Sequence, residues 1–244
     1  MSEQLDRVEK SYRRFGSRWA WNALAFAGFQ GFEPSLRRRT VEHLELRAGD
    51  TVLDVACGRG SNFPYLLGAV GAEGRVVGLD YSAEMLAGAE LLVRKKRWSN
   101  VELVRADAAQ MTYRGEFDGA LCTIALSVIP CWQAALVGMA AAVRPGKRIA
   151  IMDGLPLTGI RRLATPYARL FASIAAADMT RDVAAECRKL LIDAREETGM
   201  FGLYFIMSGR ARTHSPGPSP EAGEGRAPDL APEGARVSRR EDRV

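Results

Sequence analysis

The sequence predicts a doubly wound α/β fold with a mostly parallel sheet. Short apolar runs alternate with helical segments over residues 51–153, the pattern of parallel strands joined by right-handed crossovers. A glycine-rich turn, Cys57-Gly58-Arg59-Gly60, lies where the first apolar run ends and a helix begins, which is where open α/β sheets bind ligands. Acidic residues stand at the ends of three successive apolar runs.

The elements follow in order. Thr51–Ala56 reads as a buried strand and Asn62–Val70 as a helix, with Pro64 tolerable in its first turn. Arg75–Asp80 is the second strand, and Ser82–Lys96 a helix with Ser82 as N-cap and Glu84 in the first turn. Val101–Ala106 and Phe117–Thr123 are the third and fourth strands, and a helix runs from about Cys131 to Val143. Arg144-Pro145-Gly146 reads as a turn before a fifth strand, Arg148–Asp153. Leu163, Tyr167, Leu170, Phe171 and Ile174 then recur at helical steps. Leu203–Met207 is a late strand, with Arg195–Phe201 as a hairpin partner. Residues 5–47 look helical, broken at Gly28 and at Gly31-Phe32-Glu33-Pro34.

Composition sets the bounds. With 244 residues, 47% hydrophobic and 26% charged, the chain can bury a core of ordinary size. From Ala211 onward six Arg and six acids cancel among Pro, Gly and Ser. Such a segment cannot bury enough apolar surface to offset its ordering entropy and is expected to be disordered. The expected organisation is a helical lid over residues 1–47, an α/β domain over 48–210 and a tail over 211–244. No run of 18 apolar residues and no secretory signal is present, and the four cysteines form no CxxC pair. A cytoplasmic protein with neither a metal site nor disulfides is therefore expected. The net charge of +5 is spread out, so no nucleic-acid partner is expected. The densest basic runs, Arg37-Arg38-Arg39 and Arg94-Lys95-Lys96-Arg97, read as solvated helix ends.

The residues around the glycine turn narrow the ligand. A dinucleotide fingerprint needs a small third residue where Phe63 stands. Asp54 lies just before the turn, where its carboxylate would repel a pyrophosphate but suit a cationic ligand; it reads equally as an acceptor for the loop amides. Asp80 closes the second strand 20 residues after Gly60, a spacing that suits the hydroxyls of a ribose. Asp107 follows the third strand, where it can accept from an adenine amino group or cap the next turn.

On these motifs the sequence resembles the class I S-adenosylmethionine-dependent methyltransferases over residues ~10–210. Val52–Gly60 matches their acid-x-Gly/Ala-x-Gly-x-Gly motif, with Ala56 where glycine is commoner. Ala125-Leu126-Ser127-Val128-Ile129-Pro130, then Trp132 and Arg144-Pro145-Gly146, resemble the branch of ubiquinone/menaquinone and bacterial phosphatidylethanolamine methyltransferases. Lys147 stands where that branch often has a second glycine. The N-terminal Tyr-Asp pattern of the branch is altered: Tyr12 is kept, but Arg13, Trp19 and Ala20 stand near its other positions.

The resemblance implies a Rossmann-like, doubly wound, mostly parallel seven-stranded sheet with a C-terminal antiparallel strand. S-adenosyl-L-methionine is the implied cofactor. The backbone around Ala56, Gly58 and Gly60 would cradle its methionine part, and Asp54, Cys57 and Asn62 would be among the cofactor-binding residues. Asp80 would take the ribose hydroxyls, Tyr81 and Met85 would flank the adenine, and Asp107 and Ala108 would meet its edge. Thr123, Ile124 and Ala125 would lie under the sulfonium and carboxylate.

The implied reaction is in-line methyl transfer to a small, lipophilic acceptor such as a lipid or quinone-like molecule. The alternatives are a small polar amine or acid as acceptor, or a protein that binds the cofactor without turnover. His43 and His214 are the two histidines, and neither sits in a motif; an amine or a carbon acid therefore suits better than an unactivated hydroxyl. Trp19–Phe32 carries five bulky aromatics behind a basic stretch of Arg7, Lys10, Arg13, Arg14 and Arg18. It reads either as a packed helix or as an apolar lid with a peripheral contact to an anionic membrane surface. Asp178 and Arg181 read as a surface pair.

Overall fold

The computed structural model describes residues 33–155, 178, 180–199 and 202–211, all within the unit Met1–Arg212. Its strands are β1 (Thr51–Val55), β2 (Arg75–Asp80), β3 (Val101–Arg105), β4 (Phe117–Thr123), β5 (Val143–Gly154), β6 (Leu191–Gly199) and β7 (Tyr204–Ala211). Its helices are α1 (Glu33–Glu42), α2 (Phe63–Val70), α3 (Ala83–Lys96), α4 (Trp132–Ala142) and α5 (Val183–Leu190). Among the described residues the strands form one seven-stranded sheet in the order β3-β2-β1-β4-β5-β7-β6. Pairing is parallel from β3 to β5, and β7 is antiparallel to both of its neighbours. The chain order reverses between β1 and β4, so a topological switch point lies beside the end of β1.

Burial explains the sheet. β1 and β2 are buried along nearly their whole length, as strands covered by helices on both faces must be. Neighbouring residues of β1 serve opposite faces: Leu53 packs with Val77, Leu136 and Phe205, while Val52 packs with Phe63, Leu66 and Val70. Phe63 is fully buried, and two glycines make room for it. A Cβ on Gly60 would come within 2.5 Å of its ring, and one on Gly78 within 2.8 Å. The bulky residue in the glycine motif is thus matched by a gap in β2.

The helix ends follow their sequences. The Ser82 hydroxyl accepts from the Met85 amide at 3.3 Å, with Glu84 in the first turn and Arg94, Lys95 and Lys96 in the last, charges that suit the helix dipole. Pro64 sits in the first turn of α2, where no N–H is missed.

Glu33-Pro34 opens α1, since proline is tolerated in a first turn; the residues before Glu33 lie outside the described ones. Three expectations need correction. Arg144-Pro145-Gly146 lies inside β5. Gly146 takes φ 80° and the pairing register shifts between Phe117 and Gly119, so the segment is an irregular strand start. The hairpin is Leu191–Gly199 with Tyr204–Ala211, longer than predicted, its first arm starting nearer the N-terminus and its second ending further toward the C-terminus. β7 takes in Ala211, the first residue of the expected tail. Helix α5 was not anticipated; Asp182 caps it by accepting from the Ala185 amide at 2.9 Å, and Val183, Ala184 and Cys187 are its buried face.

Lys147 pairs with Asp118 at 3.1 Å, near the start of β4 and away from the ligand edge. The segments Trp19–Phe32 and Leu163–Ile174 and the tail beyond Ala211 lie outside the described residues. Among the described residues no helix is long and apolar enough to cross a membrane.

Candidate cofactor and active site

The carboxyl ends of β3, β2, β1 and β4 lie side by side, and the chain leaves each of them through residues singled out above. After β1, Ala56, Gly58 and Gly60 take φ values of 54°, 57° and 81°. That left-handed backbone is free to glycine but costs any other residue, which explains why glycine is commoner at the position of Ala56. The turn is pinned by the Cys57 amide donating to the Leu79 carbonyl at 3.0 Å and the Gly60 amide donating to the Cys57 carbonyl at 3.0 Å. Cys57, Cys122 and Cys187 are buried, and desolvation pushes their thiols up. They pack as small apolar residues.

Asp80 joins two segments of the site. Its Oδ2 accepts from the Gly58 amide at 2.8 Å and its Oδ1 from the Ser82 amide at 2.9 Å. Desolvation raises its pKa, and the amides of Ser82 and Gly58 oppose that. The loop amide that Asp54 was expected to hold therefore belongs to Asp80. Each oxygen keeps acceptor capacity for a further donor.

Asp54 is fully buried. Its Oδ1 accepts from Asn62 Nδ2 at 2.9 Å, while its Oδ2 is buried with no hydrogen-bond partner. Desolvation pushes its pKa up to about 7, against the Asn62 bond and the positive charge of Arg37. Asn62 precedes α2 but makes no capping bond. Its Nδ2 also donates to Thr123 Oγ1 at 3.0 Å, and its Oδ1 accepts from Arg37 Nη1 at 2.8 Å. Arg37 Nη1 donates to Thr123 Oγ1 as well, at 2.5 Å. Arg37 was expected on a solvated helix end; it instead projects from α1 into the glycine-loop site. A usable signal was present: Leu36, Thr40 and Leu44 are spaced by four residues and all are buried, which puts Arg37 beside the buried stripe of α1.

The remaining predicted residues fall on the same edge. Asp107 caps a 3₁₀ turn by accepting from the Ala109 amide at 2.9 Å, the capping role considered above. Tyr81 lies under Arg105, whose guanidinium carbon is 6.0 Å from the ring centroid. Met85 and Ala108 are buried, as are Thr123 and Ala125. Ile124 follows β4 with φ 56°, strain that a β-branched residue bears only where its surroundings impose it.

Two groups to which the sequence assigned no part in the site shape the loop after β4. Asp153, buried at the end of β5, accepts from the Ser127 amide at 3.0 Å and the Gly154 amide at 2.8 Å. Arg181 Nη1 donates to the carbonyls of Leu126 at 2.8 Å and Ile129 at 2.6 Å, and the Asp178 amide donates to the Ser127 carbonyl at 2.8 Å. Asp178 and Arg181 form the expected pair, Arg181 Nε lying 3.4 Å from Asp178 Oδ2, and the two together also clamp residues 126–129. His43 Nδ1 lies 3.3 Å from the Ser208 hydroxyl and its Nε2 3.4 Å from Glu197. It is tied to β6 and β7 and not to the ligand edge.

With this geometry in place, comparison with known proteins is informative. A family described as a methyltransferase domain matches residues 52–146, the stretch from β1 into β5. The demethylmenaquinone methyltransferase of Oceanobacillus iheyensis is 32% identical over 120 residues, 49% of this chain and 50% of that protein. The demethylmenaquinone methyltransferase of Shouchella clausii is 35% identical over 121 residues, 49% of this chain and 51% of that protein. The chain thus spans about half the length of the curated relatives it matches. Among solved structures, the geranyl diphosphate C-methyltransferase of Streptomyces coelicolor, in complex with S-adenosyl-L-homocysteine, shares the fold. Its TM-score is 0.61 at 14% identity, with 77% of this chain and 82% of that one covered. Glycine turn, strand-end acids, strand order and sequence likeness agree: residues 52–146 are a class I S-adenosylmethionine-dependent methyltransferase domain, similar to the quinone branch of that family.

Proposed function

We propose that the whole protein transfers a methyl group from S-adenosylmethionine to a small lipophilic acceptor of the quinone or lipid kind. The observation that carries the reading is the buried Asp54 Oδ2 without a partner, beside an Asp80 that fixes the glycine turn. A site for a cationic nucleoside needs an anion where a dinucleotide site would exclude one. The likeness to demethylmenaquinone methyltransferases supports the acceptor class.

When bound, S-adenosylmethionine supplies a sulfonium that is already an activated methyl donor. The residues of this chain have three tasks. Asp80 accepts from the ribose hydroxyls while it keeps the Gly58 amide in place. Tyr81, Met85, Asp107 and Ala108 border the adenine. The backbone around Ala56, Cys57, Gly58 and Gly60 and the strained turn Thr123-Ile124-Ala125 enclose the reacting end. Holding the acceptor in line there contributes ~7–11 kcal/mol in favourable cases. His43 is engaged with Ser208 and Glu197, so no histidine base is proposed and the acceptor is one that loses its proton readily. We assign residues 1–47 and the aromatic run Trp19–Phe32 to acceptor binding, with contact to an anionic membrane surface as part of that role.

The test is incubation of the protein with methyl-labelled S-adenosylmethionine and a bacterial membrane extract, followed by solvent partition. Label in the organic phase, absent with Asp80→Ala, is the expected result. Label only in the aqueous phase overturns the lipophilic acceptor, and no label above the Asp80→Ala control overturns methyl transfer onto any molecule in the extract.

A further inference from the structure

The turn after β4 is held from two sides by charged groups that the cofactor reading leaves without a task. We propose that Arg181, with Asp153 opposite it, is a positioning residue for methyl transfer: it fixes residues 126–129 so that the acceptor meets the methyl group in line. The proposal rests on the methyl-transfer reading above and names the residues that set the acceptor's place.

Three observations support it. First, one peptide group is gripped at both ends. The carbonyl of Leu126 accepts from Arg181 Nη1 at 2.8 Å, and the amide that follows it, that of Ser127, donates to Asp153 Oδ2 at 3.0 Å. A peptide unit is planar, so a guanidinium on its oxygen and a carboxylate on its N–H fix its orientation. Both bonds are charge-assisted, the strong kind. The neighbouring groups follow: Ile129 gives its carbonyl to the same Nη1 at 2.6 Å, and Ser127 gives its own to the Asp178 amide at 2.8 Å. The Leu126 amide and the Ser127 hydroxyl also bond to Asp153.

Second, Arg181 is drawn inward. Its side chain is 18% exposed, whereas that of its partner Asp178 is 46% exposed. A guanidinium needed only for that pair could stay in solvent, since withdrawing a charge from water is costly unless new bonds replace the lost hydration. Here the carbonyls of the turn replace it.

Third, the turn stands where the acceptor must come. In the reading above the nucleoside lies over the ends of β2 and β3 and the reacting end of the donor at β1 and β4. The next strand in the sheet is β5, which carries Asp153. An acceptor in line with the bond that breaks therefore falls beside residues 126–129. Ile124, just ahead of them, is held at φ 56°, strain that persists only where the surroundings over-determine it.

The experiment measures methyl transfer by the full chain, using methyl-labelled S-adenosylmethionine with saturating bacterial membrane extract and counting both solvent phases. Calorimetric titration with S-adenosylhomocysteine runs beside it, and both are done well below the Tm of each variant. Arg181→Met is expected to lower the transfer rate about 10- to 100-fold, the scale on which a small misplacement costs rate, and to leave the S-adenosylhomocysteine affinity within about twofold. Arg181→Lys should recover part of the rate, since an ammonium reaches a carbonyl but lacks the planar fork. Arg188→Met, which removes a pair with Glu196 on the surface of α5, should change the rate less than about twofold. A rate within about twofold in Arg181→Met overturns the positioning role. So does a loss of S-adenosylhomocysteine affinity by the same factor as the rate, which marks a merely structural residue. If Arg181→Met does not fold, Arg181→Lys decides: a lower rate at unchanged affinity supports the role, and an unchanged rate overturns it. No label with the unsubstituted protein overturns the methyl-transfer reading and the positioning role with it.

Discussion

Helix α1 grips two polar regions, and they are built on opposite terms. Toward the ligand edge, Arg37 meets Asn62 and Thr123, and behind them Asp54 keeps a buried oxygen unpaired. Toward the C-terminal hairpin, charges meet charges: Arg39 and His43 with Glu197, Arg195 with Glu45, and Arg210 with Asp193. The backbone differs as well. The ligand edge holds Ala56 and Ile124 at positive φ, conformations that cost about 1–3 kcal/mol each. The first region keeps binding capacity at the expense of stability; the second ties the helix down.

Substitutions can break or sharpen this contrast. The largest expected effect is that of Asp80→Ala, which removes the acceptor of both the Gly58 and Ser82 amides. Methyl transfer should fall by roughly 10²-fold or more in kcat/KM, measured with saturating acceptor. A loss under about threefold would mean that the loop holds its shape without this carboxylate.

Next comes Asp54→Asn, which should move stability and function in opposite directions. The folded-state pKa of Asp54 is raised to about 7, so the folded protein binds more protons than the unfolded chain between pH ~4 and 7, and stability falls as pH rises through that window. At pH 8 the neutral amide should raise stability by about 1–3 kcal/mol, seen as a higher Tm without ligand, while cofactor affinity drops. A lower Tm at pH 8 would place Asp54 among the stabilising groups and erase the contrast.

On the other side of α1, Glu197→Gln removes the shared partner of Arg39 and His43. These groups are partly exposed, so the loss should be about 0.5–1 kcal/mol by denaturant titration, with kcat changed less than twofold. The smallest effect is that of Ala56→Gly. Its φ of 54° suits glycine, but the freer unfolded chain offsets much of the relief. A gain between zero and about 1 kcal/mol is expected, and a clear loss would show that the methyl group packs in a way the strain argument ignores.

Much of this was legible in the chain because the strands are buried on both faces and so read as apolar runs. β2 and β4 lie where Arg75–Asp80 and Phe117–Thr123 were expected, and Ser82 caps α3 as its hydroxyl suggested. β6 was blurred for the opposite reason. It is an edge strand of mostly exposed residues, four of its nine charged, which blunts the edge against pairing and leaves no alternation to read. Arg37 was missed because three adjacent arginines look alike until the phase of the helix is known. Asp153 and Arg181 act on backbone groups 26 and 52–55 residues away, and no local pattern marks such contacts. That Asp54 shares its region with Arg37 follows from tertiary packing alone.

The strand order has a consequence in time. β7 lies between β5 and β6, although it is made after both. On a ribosome adding roughly 5–20 residues per second, β6 emerges before the strand that must separate it from β5, and for about a second it has no native strand to pair with. Its charged, exposed residues suit that wait, since they discourage premature pairing with β5. The partner of α1 at Glu197 belongs to this strand. The helix that carries Arg37 therefore reaches its final seat only after the last strand has slid into place, so a nascent chain holding every motif residue from β1 to β4 is still an unfinished site.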